Sequence, residues 1–149
     1  MSVNSSDNTF LGKGDLIEVS CIDIDVKGNG VSKHYDQVIV TPNLLPGDKA
    51  FIEITYKQQK IWFSRINKLI TASPTRILPK CRIFSDCGGC SLQHINYQSQ
   101  IKLKTKSLRE TLKRIGNIDA PINKAITSLY DGFNYRNKTV IPLYRKDQS

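Results

Sequence analysis

Three of the four cysteines in this 149-residue chain lie within ten residues, at Cys81, Cys87 and Cys90, with the spacing C-x5-C-x2-C. Thiolates gathered over so short a stretch can converge on one metal centre, and the intervening Gly88-Gly89 permits the tight backbone path that convergence requires. The chain shows no secretory signal, so clustered cysteines favour metal or redox chemistry over disulfides. Three thiolates leave the usual set of four ligands one short.

The spacing alone leaves several kinds of site open. The thiolates could hold an iron–sulfur cluster, which normally takes four cysteines, or zinc with His94 as the fourth ligand in a C-x5-C-x2-C-x3-H arrangement. Cys87 and Cys90 could form a redox pair, although a proline-rich stretch rather than a strand precedes them. All three could also be ordinary buried cysteines. Cys21 lies on the apolar face of a predicted strand, where a buried thiol is expected.

The net charge of +9 is unevenly distributed. Residues 1–50 carry 4 basic and 7 acidic groups, residues 51–100 carry 7 and 2, and residues 101–149 carry 11 and 4. The basic excess indicates either a surface for a polyanion such as nucleic acid or a solubilising surface, and charge alone does not separate the two. The apolar runs are too short to span a bilayer. A protein without a membrane partner is therefore expected. Since the chain shows no secretory signal, we expect it to be cytoplasmic, and we also expect it to be monomeric.

The first part of the chain has the periodicity of β-strands. Ile17, Val19 and Cys21 alternate with polar residues, and the apolar phase then moves to Ile22 and Ile24, which predicts a bulge near Cys21. Further strands are predicted at 38–40, 50–56 and 61–70, separated by turn signals that include a type II turn at 45–48. Short strands at this spacing predict a small closed barrel.

The rest of the chain has a mixed α and β pattern. Two prolines and no periodicity mark residues 71–80 as a linker. Asn96 is placed to cap a basic helix over Tyr97–Ile115, and a strand is predicted at Tyr135–Tyr144. The predicted class is therefore mainly β with an α+β second part. The predicted boundaries are a disordered N-terminus at 1–13, a barrel at 14–70, the linker, and a second domain at 81–149 that looks truncated.

Several short motifs occur together in this chain. The most specific is the cysteine motif with its Ser91-Leu92-Gln93-His94 tail. The others are Lys27-Gly28-Asn29-Gly30-Val31, Leu45-Pro46-Gly47-Asp48, Ser73-Pro74-Thr75-Arg76, Leu112-Lys113-Arg114-Ile115-Gly116 and Tyr135-Arg136-Asn137-Lys138. In their order along the chain they resemble the N-terminal part of the 23S ribosomal RNA uracil-5-methyltransferases that carry a TRAM domain and an iron–sulfur cluster. The resemblance runs from about Gly14 onward.

The resemblance implies a fold, a cofactor and an activity. Residues 14–70 would be a TRAM domain, an OB-like RNA-binding barrel, followed by the start of a central iron–sulfur domain. Cys81, Cys87 and Cys90 would be three ligands of a 4Fe-4S cluster, with the fourth expected beyond Ser149. S-adenosylmethionine and the catalytic cysteine would belong to an absent domain, so the chain alone is expected to be inactive. The family methylates carbon 5 of a uridine.

The charge pattern and the resemblance together nominate residues for contact with ribosomal RNA. These candidates follow the glycine turn, flank the cysteines or lie near the end of the chain: Lys33, His34, Tyr35, Lys80, Arg82, Arg136 and Lys138. The alternative is a free-standing zinc-bound RNA-binding module without enzymatic activity. A third and weaker possibility is a disulfide-exchange protein.

Overall fold

The computed structural model describes residues 10–123, 125–127, 131–135 and 137–138. The chain divides into two compact units, Met1–Arg76 and Ile77–Ser149. The first unit contains a five-stranded barrel, and both helices of the described residues lie in the second unit. The predicted mainly β class with a small N-terminal barrel is confirmed. No helix within the described residues combines the length and apolar character needed to cross a bilayer.

The barrel strands close into one continuous sheet in the order β1-β2-β3-β5-β4. Neighbouring strands are antiparallel, except that β3 and β5 run parallel. Closure pairs the backbone groups of every strand on both sides, so the barrel leaves no open sheet edge. The strand bounds are β1 Leu16–Ile24, β2 Gly30–His34, β3 Gln37–Thr41, β4 Lys49–Gln58 and β5 Ile61–Thr71.

Two local features of the barrel confirm predictions made from the sequence. The pairing of β1 with β2 shifts register between Cys21 and Asp23, at the predicted bulge. At residues 45–48, Gly47 has φ of 90° and the Asp48 N–H donates to the Leu45 carbonyl over 2.8 Å, as a type II turn requires. Both features follow from local sequence, because a phase change and a Pro-Gly pair each specify the backbone directly.

The barrel interior is filled by aliphatic side chains from four of the strands and from the loop after β3. The fully buried members are Ile39, Leu44, Leu45, Ala50, Ile52 and Ile54. Leu11 also packs into this core, so the described end of the predicted disordered segment 1–13 is instead part of the barrel. The apolar side chain of Leu11 explains the difference, because its burial stabilises an ordered backbone. Residues 1–9 lie outside the described part of the chain.

Hydrophobic periodicity does not predict strand β2, because its inward residues are not large and apolar. Gly30 and Ser32 are buried where a pattern search expects aliphatic side chains. Gly30 leaves room for the neighbouring loop, since a Cβ there would lie 2.5 Å from the Leu44 carbonyl oxygen. A strand whose buried positions are glycine and serine shows no alternation of hydrophobic residues in its sequence.

Strand β4 departs from the simple alternation that its sequence suggests. Ala50, Ile52 and Ile54 point into the core as expected, but Tyr56, two residues further on, is 52% exposed. The pairing of β4 with β5 shifts register between Ile54 and Tyr56. This bulge adds one residue to the strand and turns the tyrosine outward.

The second unit contains a short helix, α1 (Phe84–Cys87), and a long one, α2 (Tyr97–Arg114). The Asn96 side chain accepts a hydrogen bond from the Ser99 N–H over 2.9 Å, which confirms the predicted cap. All residues of α2 are described, and none of its side chains is buried. The predicted strand at 135–144 lies mostly outside the described residues, and its described members, residues 135, 137 and 138, are not in a strand.

Candidate functional site

The cysteine segment is shaped by helix α1 and by the glycines that end it. The Cys87 N–H donates to the Ile83 carbonyl over 2.9 Å, and Gly88 follows at φ of 67°, a left-handed conformation that terminates the helix. A Cβ at Gly89 would lie 3.4 Å from the Cys87 sulfur. The glycine pair therefore lets the chain turn back close to this thiol before it reaches Cys90.

The three clustered cysteines are accessible thiols. Cys90 is exposed, Cys81 and Cys87 are half-buried, and all four cysteines of the chain, which lie within the described residues, are free. Among those residues, no group of three or more His, Cys, Asp or Glu side chains is arranged to hold a metal ion. The described arrangement therefore does not fit a preassembled cluster or zinc site, and the ligand roles of these cysteines stay predictions.

His94 lies in the interior of the second unit. Its ring packs against Phe84 with centroids 5.2 Å apart, and its backbone carbonyl accepts a hydrogen bond from Ile77 over 3.0 Å. The side chain is buried together with the neighbouring Ile95. These contacts make His94 part of a small core in the second unit, together with Phe84 and Ile95.

Cys21 differs from the other three cysteines in its surroundings. It is buried in the barrel core, as its place in the strand pattern predicted, and its thiol lies 3.2 Å from the Asp23 carbonyl oxygen. Burial raises the pKa of the Cys21 thiol to about 11. Because the pKa is higher in the folded protein, the protonated thiol stabilises the fold fully at pH values below 9.0, the ordinary pKa of the group. This stabilisation is lost as the pH rises towards 11.

The predicted RNA contacts are divided between the two units. Lys33 and His34 end strand β2, and Tyr35 begins the turn to β3. Tyr35 is 58% exposed, and its ring meets the His34 ring edge-on at 4.8 Å. In the second unit, Arg82 is exposed, and the exposed Lys80 places its Nζ 4.3 Å from the centre of the Phe133 ring. Lys138 is exposed, and Arg136 lies outside the described residues.

Asp48 joins two of the family-like motifs inside the first unit. Its carboxylate is fully buried and accepts hydrogen bonds from the Leu45 and Ser73 N–H groups, both over 2.7 Å. The Arg76 guanidinium donates to both carboxylate oxygens and to the Asn43 carbonyl. The predicted linker at 71–80 is therefore bonded to the barrel at its first half. The two prolines of this segment predicted a linker, but they did not indicate the long-range ion pair.

The structure also brings together aromatic residues that the sequence analysis did not nominate. Tyr56 and Phe63 are direct partners across β4 and β5. Their ring centroids lie 4.7 Å apart and their planes are inclined by 9°, so the rings are stacked. Strict alternation along β4 assigns Tyr56 to the core, and only the bulge before this residue places it outside.

Comparison with known proteins identifies relatives in several bacteria, although no protein-family model matches the chain. An uncharacterized RNA methyltransferase of Parasynechococcus marenigrum is 40% identical over 89% of the chain, which spans 28% of that relative. Similar proteins of Listeria monocytogenes and Halalkalibacterium halodurans are 34% and 32% identical over 91% and 92% of the chain, which spans 30% of each. Both are also described as uncharacterized RNA methyltransferases.

Among solved structures, the chain is similar to the Pyrococcus abyssi tRNA (uracil-54, C5)-methyltransferase in complex with S-adenosyl-L-homocysteine. The identity is 28% and the TM-score 0.41, over 68% of this chain and 22% of that one. The sequence matches confirm the resemblance drawn from the motifs. Over about nine tenths of its length the chain is similar to proteins named RNA methyltransferases, and it spans less than a third of the length of those relatives.

Proposed function

We propose that this chain is the RNA-binding part of an S-adenosylmethionine-dependent methyltransferase that methylates carbon 5 of a uridine in large-subunit ribosomal RNA. The observation that carries the proposal is its 32–40% identity, over 89–92% of its length, to proteins named RNA methyltransferases. The motif resemblance supplies the finer assignment to uridine and ribosomal RNA. Methyl transfer is assigned to the enzyme as a whole, and no residue described here is assigned to the methyl donor.

The proposed role of this part of the enzyme is to hold RNA beside the reacting base. Helix α2 carries six basic residues and one acidic residue, and its side chains remain accessible. Such a helix can contact phosphates without reading the base sequence. A uridine must leave its stack before an enzyme can reach carbon 5, and a grip on the flanking strand keeps the RNA in place during that step.

The proposal predicts salt-sensitive binding of single-stranded RNA by the full 149-residue chain. If the chain makes about four phosphate contacts, the logarithm of the affinity falls with the logarithm of the salt concentration with a slope of about −3. Raising the salt about four-fold should then weaken binding about 50-fold. Fluorescence anisotropy with a labelled oligouridine measures the dissociation constant at each salt concentration.

Matched lysine variants provide the control for this measurement. Replacing Lys102 and Lys113 of α2 with alanine should reduce the magnitude of the slope by about 1.4, because two phosphate contacts are lost. Lys27→Ala, in the acidic first fifty residues, should leave the slope unchanged. No detectable RNA binding at low salt would refute the proposed function. A dissociation constant that does not change with salt concentration would refute the phosphate contacts.

We also propose that Cys81, Cys87 and Cys90 become ligands of a 4Fe-4S cluster when the cluster assembles, since the described residues hold no preformed metal group. Anaerobic reconstitution with iron, sulfide and an added small thiol, which replaces the ligand expected beyond Ser149, should give a brown protein with about four iron and four sulfide ions per chain. Three thiols should then resist alkylation that modifies them in the metal-free chain.

Cys21 serves as the internal control for the reconstitution. Its burial and raised pKa, about 11, should keep it unreactive with or without a cluster. Replacing Cys87 with serine should abolish iron uptake, whereas Cys21→Val should not. A colourless protein with one zinc ion per chain would support the zinc interpretation instead of the cluster.

A further inference from the structure

The β4–β5 hairpin presents an aromatic ring to solvent on a supporting ring. Phe63 is half-buried and lies parallel to Tyr56, which is the more exposed of the two. The stack therefore has an inner and an outer ring, and the outer one is the tyrosine. An exposed aromatic ring held flat by a second ring is a rigid apolar surface with little rotamer freedom left to lose on binding.

A bulge in β4 is responsible for this exposure. Continued alternation after Ile52 and Ile54 would bury Tyr56, and the register shift between Ile54 and Tyr56 prevents this. The additional residue, Thr55, donates its hydroxyl to the Phe63 carbonyl over 2.9 Å, which fixes the bulge beside the stacked rings. Bulges commonly re-aim a side chain next to a functional site.

The charge of the hairpin complements a polyanion. Residues 49–71 contain five basic side chains and one acidic side chain, whereas residues 16–41 contain two basic and four acidic side chains. The single acidic residue of the hairpin, Glu53, is already paired with Arg65 at 2.8 Å. Lys57, which lies over the Trp62 ring at 4.9 Å, and Lys60 in the turn have no ion-pair partner among the described residues.

We infer that the Tyr56–Phe63 stack is a platform for a base of single-stranded RNA, with Lys57 and Lys60 contacting the adjacent phosphates. The inference rests on the proposed function, because it specifies where the chain binds RNA. Stacking accepts any base and lysine contacts any phosphate, so this site tolerates many sequences. In OB-type barrels the loop between the fourth and fifth strands is one of the elements that contact oligonucleotides.

The test compares oligouridine with an abasic oligonucleotide of the same length and charge, using the full chain. Loss of one base stack should weaken oligouridine binding by roughly 5- to 150-fold in Tyr56→Ala. Because the phosphates are unchanged, the salt slope should remain that of the wild type. Binding of the abasic oligonucleotide should be the same for wild type and variant. Tyr56→Phe should retain the wild-type affinity for oligouridine.

Phe10→Ala is the matched control, since this aromatic residue is also exposed, 83% against 52% for Tyr56, but lies in the acidic first fifty residues. It should bind oligouridine like the wild type. The stacking platform is overturned if Tyr56→Ala binds like the wild type, or if it weakens the abasic oligonucleotide equally. In both cases salt-dependent binding by the wild type would leave the proposed function standing. Absence of RNA binding by the wild type would refute the proposed function as well.

Discussion

Replacing Asp48 with alanine is expected to lower the free energy of unfolding of the barrel by about 3–5 kcal/mol, the usual cost of breaking a buried ion pair. The substitution removes the acceptor of the Leu45 and Ser73 N–H groups and the counter-charge of Arg76. Urea denaturation of the full chain measures the change. Trp62 is the single tryptophan and is buried in the barrel core, so its fluorescence reports unfolding of this unit.

An exposed ion pair on the same barrel provides the comparison for Asp48. Glu53→Ala removes the carboxylate partner of Arg65, whose side chain is 69% exposed, and should cost less than about 1 kcal/mol. The double variant Asp48→Ala/Arg76→Ala should cost less than the sum of the two single variants by about 0.5–3 kcal/mol, because the pair acts as one unit. Equal losses for Asp48→Ala and Glu53→Ala would contradict the role given to burial.

Replacing Gly30 with alanine should destabilise the barrel by about 1–3 kcal/mol through overpacking. The added Cβ would lie 2.5 Å from the Leu44 carbonyl oxygen and 2.7 Å from the Leu44 Cβ. Leu44 is fully buried, so the loop that carries it has little room to retreat. The same urea experiment should show a lower midpoint with an unchanged slope, which indicates a change in stability alone.

Gly12→Ala separates this steric effect from the general effect of replacing glycine. Neither Gly12 nor Gly30 has a positive φ among the described residues, so backbone strain is not the cause in either variant. At Gly12 the nearest atom to an added Cβ is an Asp15 carboxylate oxygen at 3.5 Å, an ordinary contact. Its stability should be unchanged or slightly raised. Equal destabilisation by the two substitutions would contradict the close packing of Gly30 on Leu44.

The features predictable from the sequence are those in which the signal and the structure occupy the same few residues. The register shift near Cys21, the turn at 45–48 and the cap at Asn96 were all read correctly from local sequence. Each depends on a backbone preference that its own residues impose: a change of strand phase, a Pro-Gly pair, or a side chain that accepts a hydrogen bond at the start of a helix.

Features that depend on distant partners could not be predicted in this way. The Asp48–Arg76 pair joins residues 28 positions apart, and nothing near either residue indicates the other. Strand β2 was hidden because Gly30 packs by being small, which hydrophobic periodicity does not detect. The outward turn of Tyr56 requires a bulge whose presence depends on pairing with β5.

The cysteine segment illustrates a different limit. The C-x5-C-x2-C spacing places three accessible thiols in one short segment, as the sequence suggested. Spacing does not fix the directions of the sulfur atoms, and no metal-binding group is formed among the residues that the structure describes. Where ligands converge only as a metal binds, the sequence can indicate the donor residues although the metal-free fold does not bring them together.

The bonding of Ser73 and Arg76 to Asp48 decides where the barrel can be separated from the rest of the chain. A truncation after residue 70, where the strand pattern ends, would remove both donors and leave a carboxylate enclosed without its cation. A barrel expressed on its own would have to extend through Ser73-Pro74-Thr75-Arg76, so that Arg76 can neutralise the buried Asp48 carboxylate. The first unit therefore ends at Arg76, the partner of Asp48, rather than at the end of its last strand.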